Sequence, residues 1–158
     1  MKKIATLMLV LILALALSAC VNNAEPIQLG TSDFSIVLPD GYVSENDDFD
    51  EDQVAYYYKD DNSVDFDVYQ WAKGDQYTLK SEADHYAAEF GTVAEAVTVG
   101  EINGYKYVSK EDYEGTTYTV INYIFEDDTN FVEICFWTDG SDAEKNAANE
   151  IIDTLKKN

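Results

Sequence analysis

The chain has 158 residues, with 31 acids against 10 basic residues, all of them lysine, and a formal charge of −21 at neutral pH. Binding to DNA or RNA rests on cations that neutralise phosphates, with arginine making the bidentate contacts, so nucleic acid is excluded as a principal partner. Hydrophobic residues at 46% and aromatic residues at 13% exclude a disordered acidic tail and require a packed core.

Lys2 and Lys3 precede an apolar run from Ile4 to Leu17 that only Thr6 interrupts. As a helix this run covers about 21 Å, short of the roughly 30 Å of bilayer hydrocarbon, which favours a cleaved secretory segment over a permanent span. The run ends in Leu17-Ser18-Ala19-Cys20, which resembles the lipobox of bacterial lipoproteins. The resemblance implies cleavage between Ala19 and Cys20. It also implies that Cys20, carrying fatty-acyl chains such as palmitate, becomes the first residue of the mature protein. The expected division is a signal peptide over 1–19, a lipidated N-terminus and flexible linker over 20–32, and one domain over 33–158. Residues 1–19 hold two lysines and no acid, so the remainder carries 8 lysines against 31 acids, a charge of −23. Anionic lipid repels such a domain, and attachment falls to the acyl tether at about 0.8 kcal/mol per buried CH₂. The expected location is extracytoplasmic, anchored to the bacterial cell membrane by lipid, with an envelope protein as a possible partner.

Within the domain, Phe34 to Leu38 reads as a short strand closed by the Pro39-Asp40-Gly41 turn. Glu45 to Asp52 is an acidic loop. Gln53 to Lys59 and Val64 to Ala72 alternate with period two and flank Asp60-Asp61-Asn62-Ser63, the expected turn of a hairpin. The period then changes: Leu79, Ala83, Tyr86, Ala87 and Phe90 define an amphipathic helix, with Thr78 or Ser81 as N-cap and Gly91 at its C-terminal end. Four strands follow, Val97–Ile102, Tyr105–Asp112, Thr117–Phe125 and Phe131–Thr138, turning at Asn103-Gly104, Glu114-Gly115-Thr116 and Asp127-Asp128-Thr129-Asn130. The last two are apolar on both faces, so both faces of the sheet centre must be covered. A closing helix starts at the capping box Ser141-Asp142-Ala143-Glu144 and buries Ala148, Ile151, Ile152 and Leu155, with Lys156 and Lys157 expected at the negative end of its dipole.

The order βββ-α-ββββ-α opens with Phe34-x-Ile36-x-Leu38-Pro39-x-Gly41-Tyr42 and closes with Ile151-Ile152-x-x-Leu155. It is similar to the PsbP-like fold, which joins the extrinsic PsbP proteins of photosystem II to a Ran-binding nuclear-transport factor and many small bacterial lipoproteins. The resemblance implies an α+β sandwich on a central antiparallel sheet of about seven strands covered by two helices. It implies binding or assembly roles and transfers no catalytic residue.

Candidate chemistry is sparse. The only cysteine besides Cys20 is Cys135, inside an apolar strand pattern, where a free thiol behaves as a small hydrophobe; the one histidine, His85, lies at a polar helical position. Thiolate or imidazole metal sites such as zinc need more of both. No G-x-S-x-G elbow and no glycine-rich phosphate loop occurs. Asp47, Asp48, Asp50 and Asp52 in one loop, or Asp60, Asp61, Asp65 and Asp67 around a hairpin, could gather oxygens for Ca²⁺, against the plainer reading of a solvated acidic surface. The EF-hand pattern fails, lacking Gly at its sixth position and Glu at its twelfth. Tyr56-Tyr57-Tyr58, Tyr69, Tyr105, Tyr107, Tyr113, Tyr118 and Tyr123 fall on strands and could offer an interface as readily as ordinary packing. The expectation is a non-enzymatic binding or accessory module of the cell envelope. The alternatives are a carboxylate-dependent hydrolase acting on surface glycans and a Ca²⁺-stabilised accessory subunit of a transport or secretion system.

Overall fold

The computed structural model describes residues 25–45, 51–59 and 64–158. A central antiparallel sheet is built from β3 (Val43–Glu45), β4 (Gln53–Tyr58), β5 (Asp65–Ala72), β6 (Glu95–Val99), β7 (Ile102–Tyr113), β8 (Thr116–Glu126) and β9 (Asn130–Thr138). Its spatial order is β3-β4-β5-β9-β8-β7-β6. A second sheet, ordered β1-β2-β10, joins β1 (Ile27–Gln28), β2 (Phe34–Ile36) and β10 (Lys156–Lys157). Among the described residues there are two helices, α1 (Leu79–Glu89) and α2 (Asp142–Ile152). The described residues therefore form the α+β sandwich expected, with a central sheet of seven antiparallel strands and two helices. Among the described residues no helix is long and apolar enough to cross a membrane.

The alternation of β5, β8 and β9 divides the sheet into two unlike faces. Phe66, Val68, Ile121, Phe125, Val132, Ile134 and Phe136 point to one side, where they meet Ala148, Ile151 and Ile152 of α2 and Leu29, Phe34 and Ile36 from the small sheet. On the other side a smaller apolar cluster joins Ala83 and Ala87 of α1 to Tyr107 and Ile124. Thr78 caps α1 in a reciprocal capping box with Ser81, and Gly91 beyond it has φ +67°. Ser141 caps α2 by accepting from the Glu144 N–H, while Glu144 accepts from the Asp139 N–H at 2.5 Å.

Four expected placements change. The strand at Phe34 lies in the small sheet, because Ser35 pairs with both Gln28 and Lys156 and all three of its residues are buried. Its place in the central sheet goes to Val43–Glu45, which is exposed along its length and pairs with Tyr56–Tyr58 as an edge strand. The stretch to Ser32 is not all linker: Ile27 pairs with Ile36 and Leu29 is fully buried, so the fold begins before residue 33. Lys156 and Lys157 do not sit at the end of the helix; α2 stops at Ile152, Leu155 turns inward, and the lysines extend as β10.

Asn103-Gly104 is not a turn either. Val99 pairs with Ile102, so the chain reverses at Gly100-Glu101, with Gly100 at φ +58°. Gly104 instead lies within β7 where the Phe125 ring crosses it; a Cβ there would stand 2.5 Å from the ring and 2.8 Å from the Ile124 carbonyl. The Glu114-Gly115 turn forms as expected, both residues having positive φ. At the β8–β9 turn, burial raises the Asp127 carboxyl, but the N–H groups of Thr129, Asn130 and Asp33 outweigh it and hold the group below its ordinary value. The Asp60–Ser63 turn lies outside the described residues.

Candidate functional site

Small side chains bring α1 close to β7 and β8, and because the helix covers only that part of its face, a cavity of about 360 Å³ opens beside it. Its walls are aromatic: Tyr69 and Trp71 from β5, Tyr86 and Phe90 from the helix, Tyr107 from β7 and Trp137 from β9. Its floor is Val120 and Asn122 of β8 with Glu133 and Cys135 of β9, and Glu51, Asp52, Glu89 and Glu111 complete the lining. Among the described residues neither lysine nor histidine lines it. The register assembles the set: β5 and β9 run antiparallel with Asp67 opposite Cys135, Tyr69 opposite Glu133 and Trp71 opposite Phe131, all on the α1 side.

The floor is built from partnered polar groups. The Tyr107 hydroxyl donates to Glu133 Oε1 at 2.6 Å. Asn122 Nδ2 donates to Ser109 Oγ at 3.2 Å and to the Val120 carbonyl at 3.3 Å, and Ser109 Oγ donates onward to Glu111 Oε1 at 2.8 Å. Asp67 receives Trp137 Nε1 at 2.5 Å and Gln53 Nε2 at 2.6 Å, which fixes the indole wall. Trp71 is held from the other side, its Nε1 donating to Glu82 Oε2 at 3.2 Å while Tyr86 packs edge-on against it. Phe90 stacks on Tyr107 with centroids 6.1 Å apart.

Glu133 is the unusual group. It is 6% exposed on a central strand, and among the described residues Tyr107 is the one donor to its carboxyl. Burial pushes it up to about 7 against the lowering effect of the Tyr107 bond, with the nearby Glu111 charge adding to the rise. Burial likewise pushes Asp67 up to about 6, although Trp137 and Gln53 pull the other way. Burial first, then the Glu133 charge, raises the Tyr107 hydroxyl far above its usual range. The Cys135 thiol is raised well above its ordinary value by burial and then by Glu133 and Asp67, so it stays protonated and is no thiolate nucleophile.

The other sequence candidates scatter. Asp47, Asp48, Asp50, Asp60 and Asp61 lie outside the described residues, as does Cys20. Asp52 is exposed at the rim of the cavity. Asp65 accepts from the Tyr56 hydroxyl at 3.0 Å, and Asp67 is committed to Trp137 and Gln53. Among the described residues no three His, Cys, Asp or Glu side chains are grouped to hold a metal ion. His85 is exposed on α1, 3.4 Å from Glu89, and borders a second cavity of about 510 Å³ behind Trp71 and Tyr86. Of the strand tyrosines, Tyr69 and Tyr107 enter the first cavity, Tyr57 and Tyr123 are buried in the α2-side core, and Tyr113 is exposed. Glu133 itself was missed in the sequence. Its signal was a lone acid in Phe131–Trp137, otherwise apolar.

No family model matches this sequence, and no curated protein matches it. Similarity to solved structures is clear. A crystal structure from Bacteroides thetaiotaomicron is 20% identical with a TM-score of 0.59 over 83% of this chain, which spans about half (49%) of that longer protein. LpqN, described as involved in cell envelope biogenesis of Mycobacterium tuberculosis, is 13% identical with a TM-score of 0.56, over 84% of this chain and 88% of LpqN. The cyanobacterial PsbP protein CyanoP of Synechocystis is 12% identical with a TM-score of 0.51, over 88% of this chain and 96% of CyanoP. At these identities the likeness is one of fold, and it agrees with the PsbP-like order of elements in the sequence.

Proposed function

We propose that this chain is a membrane-anchored extracytoplasmic lipoprotein whose domain is a non-enzymatic binding or accessory module of the cell envelope, and that it binds through the cavity beside α1. The observation that carries the reading is Glu133: a carboxyl with one donor among the described residues, placed on a central strand at the floor of an open aromatic cavity. Burial of such a group opposes folding, so its place at the foot of a cavity is accounted for by what the cavity receives. The anchor rests on Leu17-Ser18-Ala19-Cys20 behind an apolar run too short to span. The envelope setting is supported by the shared fold of LpqN, whose own description places it in envelope biogenesis.

Two measurements test this. Cells fed labelled palmitate are expected to label the protein, and Cys20→Ser is expected to abolish the label and release the domain from membranes; an unlabelled, unprocessed chain would remove the anchor. Small molecules extracted from the envelope are expected to alter tryptophan emission saturably. A second reading follows from Glu133 and Glu111 sharing the cavity, since an acid and a carboxylate are the minimal set for glycoside hydrolysis. Turnover of chromogenic glycosides that is lost in Glu133→Gln would replace binding with catalysis.

A further inference from the structure

Among the described residues every charged side chain that lines the cavity is acidic. β7 contributes Glu111 beside the neutral Tyr107, α1 contributes Glu89 with the neutral Tyr86, and Glu51 and Asp52 stand at the rim; Asp67 of β5 and Glu82 of α1 do not line the cavity but bond the indoles of Trp137 and Trp71, while on β9 itself the neighbour is the protonated Cys135. An anionic ligand is repelled by this set and by the negative faces of the surrounding rings. A neutral glycan needs donors as well as acceptors, but the donors on the floor are spent: Asn122 Nδ2 on Ser109 and Val120, and the Tyr107 hydroxyl on Glu133. A hard metal ion needs several oxygens, and no such group of side chains exists among the described residues. What the cavity offers is the remaining acceptor capacity of one buried carboxylate and the aromatic rings of its walls. That pairing is complementary to an organic cation, which the rings attract through their quadrupoles and the carboxylate through its charge.

We infer that the cavity binds a small organic ammonium group, seated against Glu133 and enclosed by Trp71, Tyr86, Tyr107 and Trp137. The inference rests on the reading of this cavity as the binding site and names the ligand class it takes. The bound cation supplies the counter-charge that Glu133 lacks, so binding favours the ionised carboxylate and releases its proton. Affinity for a permanent cation therefore rises with pH until Glu133 is ionised in the free protein, and is level above that.

The chain's two tryptophans, Trp71 and Trp137, both line the cavity, so intrinsic emission reports on it directly. The full-length protein in detergent would be titrated with two matched pairs: choline against its neutral isostere 3,3-dimethylbutan-1-ol, and benzylamine against benzyl alcohol. A cation is expected to saturate the emission change at least about tenfold more tightly than its neutral partner, and Glu133→Gln to remove at least that factor. Success of choline alone identifies a quaternary ammonium, and of benzylamine alone a primary amine. Choline should also bind on the order of 30-fold tighter at pH 8 than at pH 5.5, set by a carboxyl ionising near 7. If circular dichroism shows Glu133→Gln to be unfolded, Tyr107→Phe replaces it: loss of the hydroxyl donor should move the midpoint of the choline pH profile upward, and an unmoved midpoint overturns the inference. Neutral isosteres that bind as well as the cations overturn it while leaving the cavity as the site. Silence from all four probes overturns it as well, and the underlying reading fails with it only if envelope extract also leaves the emission unchanged.

Discussion

The two faces of the central sheet share the same strands and differ in nearly everything else. On the α2 side β5, β8 and β9 present Phe66, Val68, Ile121, Phe125, Val132, Ile134 and Phe136 to an apolar core. On the α1 side the intervening residues are Asp67, Trp71, Val120, Asn122, Glu133, Cys135 and Trp137, most of them buried and several polar. Since neighbouring residues on one strand differ only in direction, the contrast cannot come from strand propensity or position in the sheet. One face is filled to hold the fold together; the other keeps a cavity and a raised carboxyl at the expense of stability, the arrangement expected where a site is held on a rigid scaffold.

The largest effect should come from damaging the filled face. Phe66 is fully buried and contacts Tyr57 with centroids 4.9 Å apart and Phe136 at 5.1 Å. Phe66→Ala should destabilise by about 3–5 kcal/mol through lost burial and the hole it leaves. Urea unfolding of the variant and the parent checks this, and a loss under 1 kcal/mol would mean that this face is not the stability core.

Next in size is a substitution on the cavity face that should stabilise. In the unfolded chain Glu133 ionises near 4.5, whereas folded it ionises near 7. Between those values the folded state holds the extra proton, so stability is full below about 4.5, declines as pH rises through 7, and is level beyond. Asp67, raised from 3.8 to about 6, declines in the same sense over a lower window. The Glu133 component amounts to roughly 3 kcal/mol at most. Glu133→Gln keeps the shape and removes the ionisation, so it should match the parent at pH 4.5 and exceed it by up to about 3 kcal/mol at pH 8. The difference between the two proteins isolates this residue from the general repulsion among the acids. Parallel stability curves would show that Glu133 is not strained.

Overfilling the apolar face gives a smaller loss. Gly104→Ala puts a methyl group against the Phe125 ring and the Ile124 carbonyl and should cost about 1–3 kcal/mol, although an Asn-Gly pair read by local rules marks a turn where alanine would cost for a different reason. This residue shows where legibility stops. The α2 face and the helix caps follow from local sequence, because each strand must bury one set of apolar residues whatever its neighbours do. The seventh central strand does not, since the exposed Val43–Glu45 holds the place expected of the Phe34 strand. Pairing register is not local. The turn moved to Gly100-Glu101 because Gly104 was needed where Phe125 crosses β7. The cavity was hidden for the same reason. Tyr69 and Glu133 become neighbours only through the β5–β9 register, and Tyr107 reaches Glu133 from a strand separated from β9 by β8. Read along the chain, Glu133 is one acid among 31.

The smallest effect concerns the two covers. α2 is fixed by Ala148, Ile151 and Ile152, all but fully buried, whereas α1 meets the sheet through Ala83, Ala87 and the Glu82–Trp71 bond. Less apolar area under α1 means a smaller free energy for local opening. Thr78→Ala removes the N-cap acceptor and one half of the reciprocal box with Ser81, worth about 1 kcal/mol. The expected result is about fivefold faster amide exchange across α1, with α1 exchanging faster than α2 and β9 and the global stability falling by the same amount, about 1 kcal/mol. Although α1 carries Tyr86 and Phe90 of the cavity wall, ligand affinity should change little, because the closed form still dominates. If α1 instead exchanges as slowly as α2 and β9, it opens only when the whole domain unfolds, and the cavity face is as firmly built as the apolar one.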